Sequence, residues 1–185
     1  MTDVPWFVSF DVNRTADAME PADFRALLDR LKAEGFQIGL AITGGPDAPN
    51  GAYRVLAETG LDPDDWPIIY RIGDKEESSS IKSALNQLSI PAHRVIFIDD
   101  AFNNIQAAQA CGIKTVRFFF LRTGVYDYTI DFGLPSRQGF RGDVAMLGDI
   151  IINARRDVMA NEQKNDGRVW FKRPRWARLV GSTHS

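Results

Sequence analysis

Four consecutive apolar residues, Val95-Ile96-Phe97-Ile98, run into two adjacent carboxylates, Asp99-Asp100, and then into an alanine-rich stretch ending at Ala108. Apolar side chains on successive positions suit a strand covered on both faces, and small residues after it let a helix pack closely on a sheet. The acids therefore stand at a strand's carboxyl end. One Asp there is explained as the N-cap of the following helix. Two neighbouring anions repel each other and gain little unless a cation or hydrogen-bond donors neutralise them, so a metal site is favoured over a paired cap.

The pattern occurs earlier as well: Trp6-Phe7-Val8-Ser9-Phe10 stops at Asp11-Val12-Asn13-Arg14-Thr15. Pro21 fits a first helical turn, and Phe24, Leu27, Leu28 and Leu31 form the apolar stripe of a helix closed by Gly35. The next strand, 36–42, ends at Thr43-Gly44-Gly45, a turn whose hydroxyl and open backbone N–H groups suit an anion, although a plain turn hydroxyl explains Thr43 equally well. A helix over 51–58 with Tyr53, Leu56 and Ala57 inward leads to a strand at 68–72, and Lys75 follows in a loop. Ser78-Ser79-Ser80 caps a helix carrying Ile81, Ala84, Leu85 and Leu88, and a fifth strand covers 113–120. Strands alternating with helices predict an α/β fold, a parallel sheet with helices on both faces. Residues 122–142 read as a Gly-, Pro- and Asp-rich connection without periodicity, and Val144, Leu147, Ile150, Ile151 and Ala154 as a last helix.

Only one cysteine, Cys111, and two histidines, His93 and His184, are present, which leaves no disulfide, no thiolate-rich zinc site and no convincing Ser/His/Asp set. Chemistry must rest on carboxylates, hydroxyls, amides and cations. The division expected is a domain over 1–160 and a tail over 161–185, where Trp170, Phe171 and Trp176 are interleaved with Lys172, Arg173, Arg175 and Arg178. Such a tail can stack on nucleic acid, or tether itself to its own domain or to a sister subunit of a homo-oligomer. A net charge of −2 favours the tether. No basic leader and no apolar run of about 18 residues appears, so a cytoplasmic protein without membrane contact is expected.

Asp11 in Phe-Asp-Val-Asn-Arg-Thr, Thr43 in Ala-Ile-Thr-Gly-Gly, a lysine ahead of a helix, and Phe-Ile-Asp-Asp with the Asn-Ile and Gly-Ile that follow it together resemble the haloacid dehalogenase-like superfamily of phosphotransferases, over about residues 6–120. The resemblance implies a three-layer, Rossmann-like fold whose five parallel strands are ordered 5-4-1-2-3, so that strands 1 and 4 lie side by side with Asp11 and Asp99-Asp100 at their shared crevice. It further implies an aspartyl-phosphate on Asp11 and a Mg²⁺ bound by Asp11, Asp100 and the backbone carbonyl of Asn13, with Asp99 in support. Thr43, Gly44 and Lys75 would hold the phosphoryl group of a small or macromolecular substrate. Lys75 lies 24 residues ahead of Asp99, a spacing similar to the family's lysine, while Lys82, at 17, is the reserve.

Two positions depart from the family's phosphatase pattern. Asn13 stands where a second Asp would move protons, and Arg14 replaces the usual glycine, adding a cation that could contact substrate. The segments after Asp11 and Thr43 are also too short for inserted cap domains, so a capless, open site is expected. A Mg²⁺-dependent phosphatase, weakened by Asn13, leads; a non-catalytic binding module of the same fold is the alternative. A receiver domain shares acids, hydroxyl and lysine, but in the reverse order along the chain.

Overall fold

The apolar runs form the parallel strands β1 (Phe7–Asp11), β2 (Gln37–Ile42), β3 (Ile68–Arg71), β4 (Val95–Asp99) and β5 (Lys114–Arg122) of a computed structural model that describes residues 5–122, 124–132 and 138–165. Helices α1 (Pro21–Ala33), α2 (Ala48–Glu58), α3 (Ser78–Gln87) and α4 (Phe102–Ala110) connect them. The strand order is β3-β2-β1-β4-β5, as the resemblance implies, and it continues into two antiparallel strands, β6 (Val125–Asp131) and β7 (Gln138–Gly142). A final helix, α5 (Val144–Asn165), returns to pack on α1.

Every residue of β1 and β4 is buried, and the two-residue period of a strand divides their side chains between two cores. Val8, Phe10, Ile96 and Ile98 join Leu28 of α1 and Leu147 of α5, while Phe7 and Phe97 join Leu85 of α3 and Ala108 of α4 on the other face. Each of the larger side chains, Val, Leu, Ile or Phe, contributes about 1.5–3 kcal/mol through burial. Helix α1 carries its stripe as expected, Pro21 in its first turn and Gly35 beyond its end at φ +81°, a left-handed conformation that suits a residue without a Cβ.

Four expectations are corrected. Residues 122–142 include most of a β-meander: Tyr126, Tyr128 and Ile130 of β6 are buried in alternation with half-buried Asp127 and Thr129. Helix α2 starts at Ala48 and turns Ala52, Val55 and Leu56 inward; Tyr53 is 48% exposed against Trp66, and Ala57 is exposed. Ser78, Ser79 and Ser80 form the first turn of α3 instead of its cap, which is Glu77. The last helix runs on past 154 to Asn165, and the basic, aromatic stretch from 166 lies outside the described residues.

Two further features frame the site. The connections after β1 and β2, residues 12–20 and 43–47, hold nothing larger than a 3₁₀ turn at Ala16–Ala18. Asp99 at the end of β4 pairs with Arg117, so β5 continues five residues beyond that level, about 17 Å at the usual strand rise. The β5–β6 hairpin thus stands as a wall beside the sheet's carboxyl edge. Cys111 ends α4, half-buried, its thiol donating to the carbonyls of Ser78 and Ala107. Among the described residues no helix is long and apolar enough to cross a membrane.

Candidate active site

Strands β1 and β4 are hydrogen-bonded neighbours with Phe10 opposite Ile98, and this register delivers Asp11 and Asp99-Asp100 to one place at the carboxyl edge. The carboxylates of Asp11, Asp99 and Asp100 each offer an oxygen within 4.8 Å of the others. Asp11 and Asp99 are buried, whereas Asp100 is half-buried and lines a cleft of about 570 Å³ together with Asp11, Asn13, Arg14, Thr43 and Lys75.

Asp99 lies deepest. It is fully buried and accepts the Ala101 N–H at 2.8 Å and the Asn104 side-chain amide at 3.0 Å, so it also ties down the start of α4. Burial, and then the negative charge of Asp11, push its carboxyl up to about 7. Burial likewise raises Asp11, against the pull of Lys75. Three crowded carboxylates, two of them held above the ordinary carboxylate range, form a set of hard oxygen donors with no thiolate or imidazole. Such a set fits a hard divalent cation.

Lys75 is 5% exposed although it belongs to a loop. Its ammonium donates to Asp11 and, at 2.9 Å, to the Ala41 carbonyl at the end of β2. Lys82 is exposed on α3 and does not line the cleft. Thr43 is exposed at the cleft wall; Gly44 follows at φ +101°, outside the lining, and its carbonyl accepts Arg71, which also reaches the Gly45 carbonyl at 3.0 Å.

Asn13 and Arg14, from the loop after β1, also line the cleft. Arg14 has φ +58°, a left-handed conformation that a side chain makes costly, about 1–2 kcal/mol. The loop is closed by backbone bonds, the Asp17 N–H donating to the Val12 carbonyl at 3.0 Å and the Ala18 N–H to the Thr15 carbonyl at 3.3 Å. An arginine therefore stands at the mouth at some cost to the fold.

Several contributors escaped the sequence reading. Arg71 braces the Thr43 turn. Arg117 donates to the Asp100 carbonyl at 3.1 Å and stacks on Phe102 at 5.3 Å and Phe119 at 4.2 Å, bracing the loop that presents Asp100. Asp74 and Glu76, on either side of Lys75, also line the cleft. None belongs to an apolar period or to a motif quoted above; the only sequence signal is the charge of the Asp74-Lys75-Glu76 run.

Residues 11–112, more than half of the chain, match the family model of haloacid dehalogenase-like hydrolases. No curated protein matches the chain. Among solved structures, similar ones include CbbY from Rhodobacter sphaeroides in complex with xylulose-(1,5)bisphosphate, with a TM-score of 0.48, 14% identity, and 65% of this chain and 88% of that one covered. An uncharacterized protein from Corynebacterium glutamicum gives a TM-score of 0.49 at 18% identity, over 64% of this chain and 87% of that one. A HAD-superfamily hydrolase of subfamily IA from Geobacter sulfurreducens gives 0.46 at 12% identity, over 62% and 89%.

Proposed function

Because the chain belongs to the haloacid dehalogenase-like hydrolases, we infer that the β1–β4 cleft removes or transfers the phosphoryl group of a phosphoester through an aspartyl-phosphate on Asp11. The observation that carries this reading is the meeting of Asp11, Asp99 and Asp100 in one cluster, with Lys75 donating to Asp11. Asp11 and Asp100, supported by Asp99 and by the backbone carbonyl of Asn13, would hold Mg²⁺. The bound ion would offset the carboxylates' charge and so admit an anionic phosphoryl group.

The remaining work falls to the chain's own groups. Asp11 supplies the attacking oxygen, which must be ionised, and the Lys75 ammonium favours that form against burial. Lys75 and Thr43 receive phosphoryl oxygens, and Arg14 draws the substrate's anionic part to the mouth. The short connections after β1 and β2 hold no inserted domain among the described residues, which supports reading the cleft as open. The site therefore takes a phosphate presented on a macromolecule, or a small ester held loosely. We place the protein in the cytoplasm.

The test is phosphate release from aryl and alkyl phosphates by the full chain, with and without Mg²⁺. Turnover should require Mg²⁺, disappear in Asp11→Asn, and fall in Asp100→Asn together with Mg²⁺ affinity. Mg²⁺ binding without turnover of any phosphoester would replace this reading with a non-catalytic binding module.

A further inference from the structure

Transfer through Asp11 needs two proton movements: one onto the departing alkoxide, and one away from the water that attacks the aspartyl-phosphate. Asn13 lines the cleft, but its amide donates and accepts hydrogen bonds without gaining or losing a proton near neutral pH. Each nearby carboxylate but one is already committed. Asp11 is paired with Lys75, and Asp99 is fully buried beneath the Ala101 N–H and Asn104. Asp100 completes the carboxylate cluster, and Asp17 does not line the cleft. Asp74 spends an oxygen on the Glu76 N–H at 2.8 Å, closing the turn that carries Lys75.

Glu76 remains. Its side chain is exposed to solvent, lines the same cleft beside Lys75, and is steered by the Asn103 amide at 3.4 Å from the first turn of α4. That contact is long enough to leave the carboxyl free to turn. We propose that Glu76 is the proton carrier of this site, a catalytic residue that does from the Lys75 loop what Asn13 cannot do from the β1 loop. The proposal rests on the phosphoryl-transfer reading above. In the first step an Asp11 oxygen bonds to phosphorus, the bond from phosphorus to the alcohol oxygen breaks, and the Glu76 carboxylic acid gives its proton to that oxygen. In the second step the Glu76 carboxylate takes a proton from water as the water oxygen bonds to phosphorus and the Asp11–phosphorus bond breaks. Inorganic phosphate leaves, and Glu76 is again protonated.

Glu76→Gln in the full chain, with Mg²⁺, tests this against two probes, p-nitrophenyl phosphate and glycerol phosphate. An alkoxide needs a proton to leave, and a nitrophenolate does not. Glycerol phosphate turnover should therefore fall by about 10²–10⁴-fold, and its rate should lose one limb of its pH profile. With p-nitrophenyl phosphate the variant should release one nitrophenolate per protein in a burst and then slow, as phosphorylated Asp11 accumulates for want of a base. Adding Asn13→Asp should restore at least tenfold of the lost turnover. Glu76→Gln that keeps both rates within threefold, or shows no burst, overturns the proposal and leaves the Asp11 reading standing. A wild-type protein without Mg²⁺-dependent phosphate release overturns both.

Discussion

Lys75 and Asp11 illustrate what a buried ion pair does at the scale of single residues. Their side chains are 6% and 7% exposed, so each depends on the other for the charge that water no longer stabilises. Lys75→Met should leave a buried carboxylate without its cation and cost about 3–5 kcal/mol of stability, measured by urea unfolding; the added change Asp11→Asn should return much of that loss. An unchanged unfolding midpoint in Lys75→Met would mean that solvent reaches the pair. Asp99 carries the pH dependence. Its folded value of about 7 lies above the ordinary carboxylate value of 3.8, so the folded state binds the extra proton between them. That contribution to stability is fully present below about 4 and is lost as pH rises through about 7. Without metal, thermal stability should fall from pH 5.5 to 8; Asp99→Asn should flatten the slope, and added Mg²⁺ should stabilise more at pH 8 than at pH 5.5. A metal-free protein that gains stability over that interval would contradict the burial of Asp99 as a charged group.

Among the elements, β2 depends on a missing side chain. A Cβ on Gly39 would run into the Phe7 ring and come within 3.0 Å of Tyr70. Those two rings pack edge to face at 5.8 Å across the position, and the Tyr70 hydroxyl shares a 2.6 Å hydrogen bond with Ser9. Gly39→Ala should cost about 1–3 kcal/mol through overpacking, visible as a lower unfolding midpoint; no loss would mean that the rings move aside freely. Strands β1 and β4, buried on both faces, were legible from near-continuous apolar runs such as Val95 to Ile98. Strand β6 had its own signal, Tyr126, Tyr128 and Ile130 alternating with polar residues, but glycines and a proline on either side hid the period. Strand β7, Gln-Gly-Phe-Arg-Gly, has no apolar pattern and exists through its pairing with β6, including the ion pair of Arg141 with Asp127 at 2.8 Å. In the site, the acids, Thr43 and Lys75 could be named from strand ends and spacing. Glu76, Arg71 and Arg117 could not: Glu76 sits in a loop, and the two arginines, though strand residues, act on the Gly44-Gly45 and Asp100 loops that only the folded sheet brings to them.

For the molecule as a whole, the sheet joins two kinds of pairing. Strands β5, β6 and β7 meet their neighbours in sequence order, whereas β1 must find β4, with Phe7 opposite Val95, 88 positions away. Hairpins close in about 1–10 μs, and pairings of long sequence separation form more slowly. In refolding followed by pulse-labelled hydrogen exchange, β6 amides should be protected before those of β1; simultaneous protection would show that the meander waits for the rest of the sheet. The central position of β1 has a consequence for the protein as it is made. Its β2 edge is satisfied early, but its β4 edge stays open until residue 99 has left the ribosome. For much of synthesis, the nascent chain therefore carries an apolar strand with one edge bare. Mispairing with a neighbouring chain is most to be expected at that edge.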